Sequence, residues 1–168
     1  MATGPDPIIG ERSSLSVMAE GNPVAPSVLI VDDEEDLSWI LARVAEKAGW
    51  SVRRANSGDA ALRLLDPSCS SPAGHQSLGF EPFLAFVDLM LPDFDGWELV
   101  RRLRSLCPDL RFVVVSGLLD ADAPRVRRAV KSGEVAGFLA KPFPLEDFRD
   151  WLNRNADRRV CSPASTEP

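Results

Sequence analysis

The segment from Phe83 to Trp97 is Phe-Leu-Ala-Phe-Val-Asp-Leu-Met-Leu-Pro-Asp-Phe-Asp-Gly-Trp, and its character changes at Asp88. The residues before Asp88 are apolar and favour a strand, as expected where both faces of a parallel sheet are covered. After Asp88, Pro92 and Gly96 break the strand and begin a new element. Ligands of open α/β sheets bind just outside the carboxyl ends of the strands. Asp88 is therefore predicted to lie where a functional site is expected.

Strand-like and helix-like segments alternate five times between Ser27 and Asn155. This alternation predicts the α/β class, with a doubly wound five-stranded parallel sheet and helices on both faces. The four tryptophans are expected to be buried or half-buried, at Trp39, Trp50, Trp97 and Trp151. The predicted strands are 27–31, 50–55, 83–87, 111–115 and 137–140.

The 168 residues are enough for one domain with a substantial core. Residues 1–26 are rich in Pro, Gly and Ser and are predicted to be disordered. Residues 27–155 are predicted to form the folded domain, with a long loop at 66–82, and residues 156–168 a flexible tail. A DNA-binding output domain does not fit into that tail. The sequence therefore predicts a stand-alone domain, or a domain cut from a larger chain.

Charge and composition exclude several classes of function. The 25 acidic and 19 basic residues give a net charge of -6, which argues against direct DNA binding. No apolar run approaches the roughly 20 residues that span a bilayer, so membrane insertion is not expected. The three cysteines are widely spaced and form no CxxC motif, which is typical of reduced thiols in a cytoplasmic protein.

Four of the five predicted strands end in polar side chains: Asp32 and Asp33, then Asp88, Ser116 and Lys141. In a doubly wound sheet these groups are neighbours along one edge. Three carboxylates close together repel one another unless a cation joins them, and oxygen ligands favour Mg²⁺. A lysine and a hydroxyl could hold phosphoryl oxygens, and a carboxylate can act as a nucleophile that forms an acyl phosphate.

Four segments resemble the signature segments of the response-regulator receiver domain of two-component signalling, which has a flavodoxin-like fold. They are Val-Leu-Ile-Val-Asp-Asp-Glu-Glu-Asp-Leu at 28–37, Asp-Leu-Met-Leu-Pro-Asp-Phe-Asp-Gly at 88–96, Val-Val-Val-Ser-Gly at 113–117 and Leu-Ala-Lys-Pro-Phe at 139–143. Each segment lies at the end of a predicted strand, and the resemblance covers residues 27–155.

The resemblance implies a role for each residue at the strand ends. Asp88 would be the phosphoacceptor, while Ser116 and Lys141 would contact the phosphoryl group. The implied Mg²⁺ ligands are Asp33, Asp32 through water, Asp88 and the backbone carbonyl of Met90. Ser116 and Phe138 would form the switch, in which the aromatic ring turns inward when the hydroxyl moves toward the phosphoryl group.

The resemblance also implies partners. A sensor histidine kinase or a histidine phosphotransfer protein would donate the phosphoryl group. The chain would not be an enzyme acting on a separate substrate, but a signalling receiver that catalyses its own phosphorylation and dephosphorylation. The switched surface around the fourth helix, fifth strand and fifth helix would contact a downstream protein target or form a homodimer.

Two apolar residues, Met90 and Leu118, are expected to flank the phosphoryl group. Our hypothesis is that they shield it from water and slow its hydrolysis.

Two alternatives to a phosphorylated receiver stay open at this point. One is a degenerate receiver that acts as a phosphorylation-independent binding module. The other is a Mg²⁺-dependent phosphohydrolase with an aspartate nucleophile. Such enzymes carry a second Asp two residues after the nucleophile, whereas this chain has Met90 there.

Overall fold

The computed structural model describes residues 25–66, 82–119 and 121–156. The predictions for the N-terminal segment up to residue 24, for most of the 66–82 loop and for the tail from residue 157 fall outside the described residues. The proposed division into a lead-in, a receiver domain and a tail stays a prediction.

Five parallel strands form one sheet with the order β2-β1-β3-β4-β5, which confirms the predicted doubly wound α/β class. The strands are β1 Ser27–Val31, β2 Ser51–Ala55, β3 Leu84–Asp88, β4 Arg111–Ser116 and β5 Gly137–Ala140. The third strand is one residue later than predicted, so Asp88 is its last residue and not the first residue after it.

The helices cover both faces of the sheet and give the domain two cores. The helices are α1 Glu35–Lys47, α2 Gly58–Leu65, α3 Gly96–Leu106, α4 Pro124–Ser132 and α5 Leu145–Ala156. Buried residues of α1 and α5 pack on one face, and those of α2, α3 and α4 pack on the other. Among the described residues, no helix is both long enough and apolar enough to cross a membrane.

Alternating side chains of the central strands supply both cores. In β1, Leu29 and Val31 face the α2–α4 side while Val28 and Ile30 face the α1–α5 side. Strand residues point alternately to opposite faces, so a strand covered by helices on both sides needs an unbroken apolar run. This requirement explains why β1, β3 and β4 lack the polar alternation of a half-exposed strand.

The prediction that Trp39 is buried or half-buried is wrong, because this residue of α1 lies on the surface. The buried residues of α1 are Ser38, Leu41, Ala42 and Ala45, which follow the i, i+3, i+4, i+7 spacing of one helical face. Trp39 and Ile40 fall off that face and are 57% and 41% exposed. The other three tryptophans are buried or half-buried, as predicted.

Candidate functional site

Strand register brings the predicted site residues to one edge of the sheet. Val31 at the end of β1 pairs with Val87, so Asp32 lies level with Asp88. Asp88 pairs with Val115, which places it one residue short of Ser116. Lys141 follows β5 directly, and its backbone N–H donates to the Ser116 carbonyl at 2.8 Å. These groups are far apart in the sequence and meet because all strands are parallel.

Three carboxylates cluster at this edge. One oxygen from each of Asp32, Asp33 and Asp88 lies within 4.8 Å of the other two. Asp32 and Asp88 are buried while Asp33 is exposed, so the cluster is open to solvent on one side. An all-oxygen donor set of this kind suits a hard divalent cation such as Mg²⁺.

Lys141 reaches into the same cluster. Its Nζ lies 2.6 Å from Asp88 Oδ2 and 2.8 Å from Asp32 Oδ2. A third carboxylate, Glu34, contacts it through Oε1 at 3.0 Å. The peptide bond between Lys141 and Pro142 is cis. One ammonium group therefore faces three carboxylates, which leaves this part of the site with an excess of negative charge.

Burial and hydrogen bonding set the pKa directions of Asp32 and Lys141. Burial raises the pKa of Asp32, and hydrogen bonds from Lys141 and from the Glu34 N–H do not fully offset that effect. Burial alone would lower the pKa of Lys141, but its hydrogen bonds to Asp32, Asp88 and Glu34 outweigh it and raise that pKa well above the ordinary range. The lysine therefore stays charged, and the cluster would be stabilised by a further cation. The donor set and the excess of negative charge both fit Mg²⁺.

The loop that follows Asp88 holds its carboxylate in place. The backbone N–H of Met90 donates to Asp88 Oδ1 at 2.8 Å. The two oxygens of Asp88 are thus held by different partners, Oδ1 by Met90 and Oδ2 by Lys141. The Met90 side chain is exposed at this edge.

Ser116 and Phe138, the predicted switch pair, lie on neighbouring strands. Ser116 is buried, and its hydroxyl accepts a hydrogen bond from the Leu118 N–H at 3.1 Å. Ser116 pairs with Ala140, and Phe138 is two residues earlier in β5, about 7 Å along the strand. The Phe138 ring is half-buried against the α2–α4 core. The structure brings the pair close together without direct pairing.

Sequence reasoning missed two residues near the site. Glu34 directly precedes α1, yet its side chain makes no cap hydrogen bond and binds Lys141 instead. Asp93 was not singled out, yet its carboxylate binds the N-terminus of α2. Both contacts join residues more than 30 positions apart, and no local pattern in the sequence signals them.

The chain is similar to known two-component proteins. It is 31% identical over 128 residues to the response regulator receiver protein CpdR of Brucella abortus (strain 2308), covering 72% of this chain and 88% of CpdR. It is 33% identical over 122 residues to the sensor kinase CckA of the same organism, covering 73% of this chain but only 12% of that kinase.

A solved structure shares the fold and some of the sequence. It is a response regulator protein from Burkholderia pseudomallei with a phosphorylated aspartic acid, a calcium ion and citrate. The TM-score is 0.60 at 27% identity, and the match covers 85% of this chain and 75% of that chain.

The family model of the response regulator receiver domain matches residues 28–153, a range that runs from the second residue of β1 into α5. This range also contains all the residues that meet at the carboxyl edge of the sheet. The chain belongs to the response regulator receiver domain family.

Proposed function

We propose that this chain is a phosphorylation-switched receiver in which Asp88 accepts a phosphoryl group in a Mg²⁺-dependent reaction. The single observation that carries the proposal is the buried Asp88 carboxylate, held 2.6 Å from Lys141 and clustered with Asp32 and Asp33. Receiver domains are signalling modules. The proposed reaction therefore modifies the protein itself and does not convert a separate substrate. Phosphorylation of an aspartate in the similar Burkholderia protein supports the same chemistry here.

Each residue at the edge has a defined task in this proposal. An oxygen of Asp88 attacks phosphorus, the bond from phosphorus to the donor atom breaks, and its electron pair leaves with the donor. Lys141 pairs with the phosphoryl oxygens, and the Ser116 hydroxyl donates to one of them. The ligands for Mg²⁺ would be Asp33, Asp32 through water, Asp88 and the Met90 carbonyl. The bound ion would neutralise charge on the transferred group.

The proposed donor is a sensor histidine kinase or a histidine phosphotransfer protein. Similarity to CckA and CpdR supports a partner from two-component signalling. The exposed Trp39 and Ile40 lie on α1, which begins two residues after Asp33, and they support a protein donor because large exposed apolar side chains are typical of docking surfaces. A cytoplasmic location is part of this proposal and is based on the wide spacing of the cysteines.

The proposed output surface is formed by α4, β5 and α5. A groove of about 470 Å³ lies there and includes Phe138 and Trp151, with Arg127 and Lys131 among its lining residues. Movement of Phe138 on phosphorylation would change the shape of this groove. A downstream protein, or a second copy of the chain, would recognise the change. Direct DNA binding is not part of the proposal.

Intact mass spectrometry after incubation with acetyl phosphate tests the proposal. We expect the wild type to gain one phosphoryl group only when Mg²⁺ is present, and Asp88→Asn to gain none. If the wild type stays unmodified with acetyl phosphate and also with a phosphorylated histidine phosphotransfer protein, the chain is a binding module that works without phosphorylation, and the proposal is wrong.

A further inference from the structure

The loop between β3 and α3, residues 89–95, is fixed to the sheet at its base. The Leu89 N–H donates to the Val115 carbonyl at 2.9 Å, and the Gly96 N–H donates to the Leu89 carbonyl at 3.3 Å. Met90 and Asp95 form an isolated antiparallel bridge across the loop. These bonds hold the two ends of the loop but do not reach its tip, Pro92 to Phe94.

The tip of the loop binds the N-terminus of α2. Asp93 Oδ1 accepts the Gly58 N–H and Asp93 Oδ2 accepts the Asp59 N–H, each at 3.0 Å. The first N–H groups of a helix have no partner within the helix, and an ionised carboxylate is a strong acceptor for them. The bond from Asp59, together with that from Gly58, lowers the pKa of Asp93, so the group is ionised at neutral pH. We call this pair of bonds the Asp93 clamp.

A second contact joins the same two elements. A Cβ atom built on Gly58 would lie 2.7 Å from Phe94 Cβ, which is closer than real side chains approach. Glycine at position 58 therefore allows Phe94 to sit directly against the start of α2. The Asp93 clamp is polar and the Phe94 contact is apolar, and both hold the tip of the loop against the start of α2.

The clamp is not needed to give α2 a cap. Ser57 already caps this helix, since its hydroxyl accepts the Ala60 N–H at 3.2 Å. The loop that Asp93 anchors, in contrast, carries Met90, whose N–H holds Asp88 Oδ1. Residues 91–94 join the two partners of the Met90–Asp95 bridge, so displacement of the tip would also loosen this bridge. A looser bridge would let the Met90 peptide shift and would change the orientation of the Asp88 carboxylate that it holds.

We propose that Asp93 is a positioning residue, whose clamp on α2 holds the Met90 peptide where both the Asp88 carboxylate and a Mg²⁺ ion require it. This inference rests on the proposed function, because it assigns the Met90 carbonyl to the metal. Asp93 acts through the loop and touches neither the ion nor the phosphoryl group.

Calorimetric titration with Mg²⁺ tests the proposal on four variants of the full chain. We expect Asp93→Ala to weaken Mg²⁺ binding on the order of tenfold, the usual effect of removing a group that orients a metal ligand. Asp93→Asn retains one acceptor oxygen and should be intermediate. Gly58→Ala keeps the carboxylate but displaces Phe94, so it should also weaken binding.

Ser57→Ala is the matched control, because it removes a cap of the same helix without touching the loop. It should leave Mg²⁺ affinity at the wild-type value. Amide hydrogen exchange provides a second readout that does not depend on the metal. The amides of Gly58 and Asp59 should exchange faster in Asp93→Ala than in the wild type.

Two results would overturn the inference while leaving the proposed function intact. One is wild-type Mg²⁺ affinity in Asp93→Ala despite faster exchange at Gly58 and Asp59. The other is an equal loss of Mg²⁺ affinity in Ser57→Ala, which would show that the loss comes from a weakened α2 and not from displacement of the loop. A wild type that neither binds Mg²⁺ nor gains a phosphoryl group would overturn the proposed function, and this inference with it.

Discussion

At the scale of single residues, Lys141 decides how the buried charges of the site are balanced. Its side chain is only 14% exposed and it contacts Asp32 and Asp88, which are buried. Carboxylates that are removed from water require a cation or several hydrogen bonds. The pKa of Lys141 is raised for the same reason, because its hydrogen bonds to the carboxylates favour the charged form of the lysine.

We predict that Lys141→Met lowers the free energy of unfolding by about 1.5 to 3 kcal/mol in Mg²⁺-free buffer at neutral pH, the usual cost of losing charged hydrogen bonds. Urea denaturation measures this change. Arg154→Met is the control, because Arg154 and Asp150 form an exposed pair at 3.5 Å that should contribute no more than about 0.5 kcal/mol. Equal losses in the two variants would contradict the assigned role of Lys141.

A second prediction at this scale concerns the lifetime of the phosphoryl group. Met90 and Leu118 are 54% and 74% exposed. Their backbone N–H groups donate to Asp88 Oδ1 and to the Ser116 hydroxyl, so both residues lie at the edge where a group attached to Asp88 would sit. Replacing both by glutamine should admit water and shorten the phosphoryl half-life severalfold, as measured by the decay of the phosphorylated mass after removal of the donor. An unchanged half-life in the double variant would refute the shielding hypothesis.

At the scale of elements, α5 packs closely against β5 at Gly137, where the strand carries no side chain. A Cβ atom on Gly137 would lie 2.1 Å from Cζ2 of Trp151, so the indole ring packs directly on the strand backbone. Phe138 follows Gly137, and both aromatic side chains line the groove of the proposed output surface. The shape of this surface therefore depends on the absence of a side chain at position 137.

We predict that Gly137→Ala displaces Trp151 and lowers the free energy of unfolding by about 1 to 3 kcal/mol, as overpacking usually does. Tryptophan fluorescence should shift toward the emission of an exposed indole. Gly117→Ala is the matched control, since its Cβ would meet only Lys141 Cβ at an ordinary 3.8 Å. That variant should be as stable as the wild type or more stable. Equal behaviour of the two variants would be inconsistent with the packing described.

At the scale of the whole molecule, the parallel topology makes the site. Apolar runs and turn signals in the sequence predicted the strands and hence the edge where Asp32, Asp88 and Lys141 meet, and the structure confirms that arrangement. Sequence could not predict which acids would contact Lys141 or bind α2, because Glu34 and Asp93 depend on how separate loops fold together.

The exposed surface of α1 is another feature that the sequence did not predict. Trp39 is apolar enough for the core, but the buried face of α1 starts at Ser38. Hydrophobicity alone did not show which face a helix turns toward the sheet, and the exposed Trp39 became visible only when α1 was packed. An exposed tryptophan indicates a partner-binding surface, whereas a buried one does not.

In the proposed reaction, Asp88 itself forms the acyl phosphate. Reduction with borohydride after phosphorylation, followed by peptide mapping, tests it directly, because an aspartyl phosphate is reduced to homoserine while free carboxylates are not. We predict homoserine at position 88 in the wild type treated with acetyl phosphate and Mg²⁺, and none in Asp88→Asn. Homoserine at Asp32, Asp33 or another aspartate, with Asp88 unchanged, would contradict the assignment of Asp88 as the phosphoacceptor.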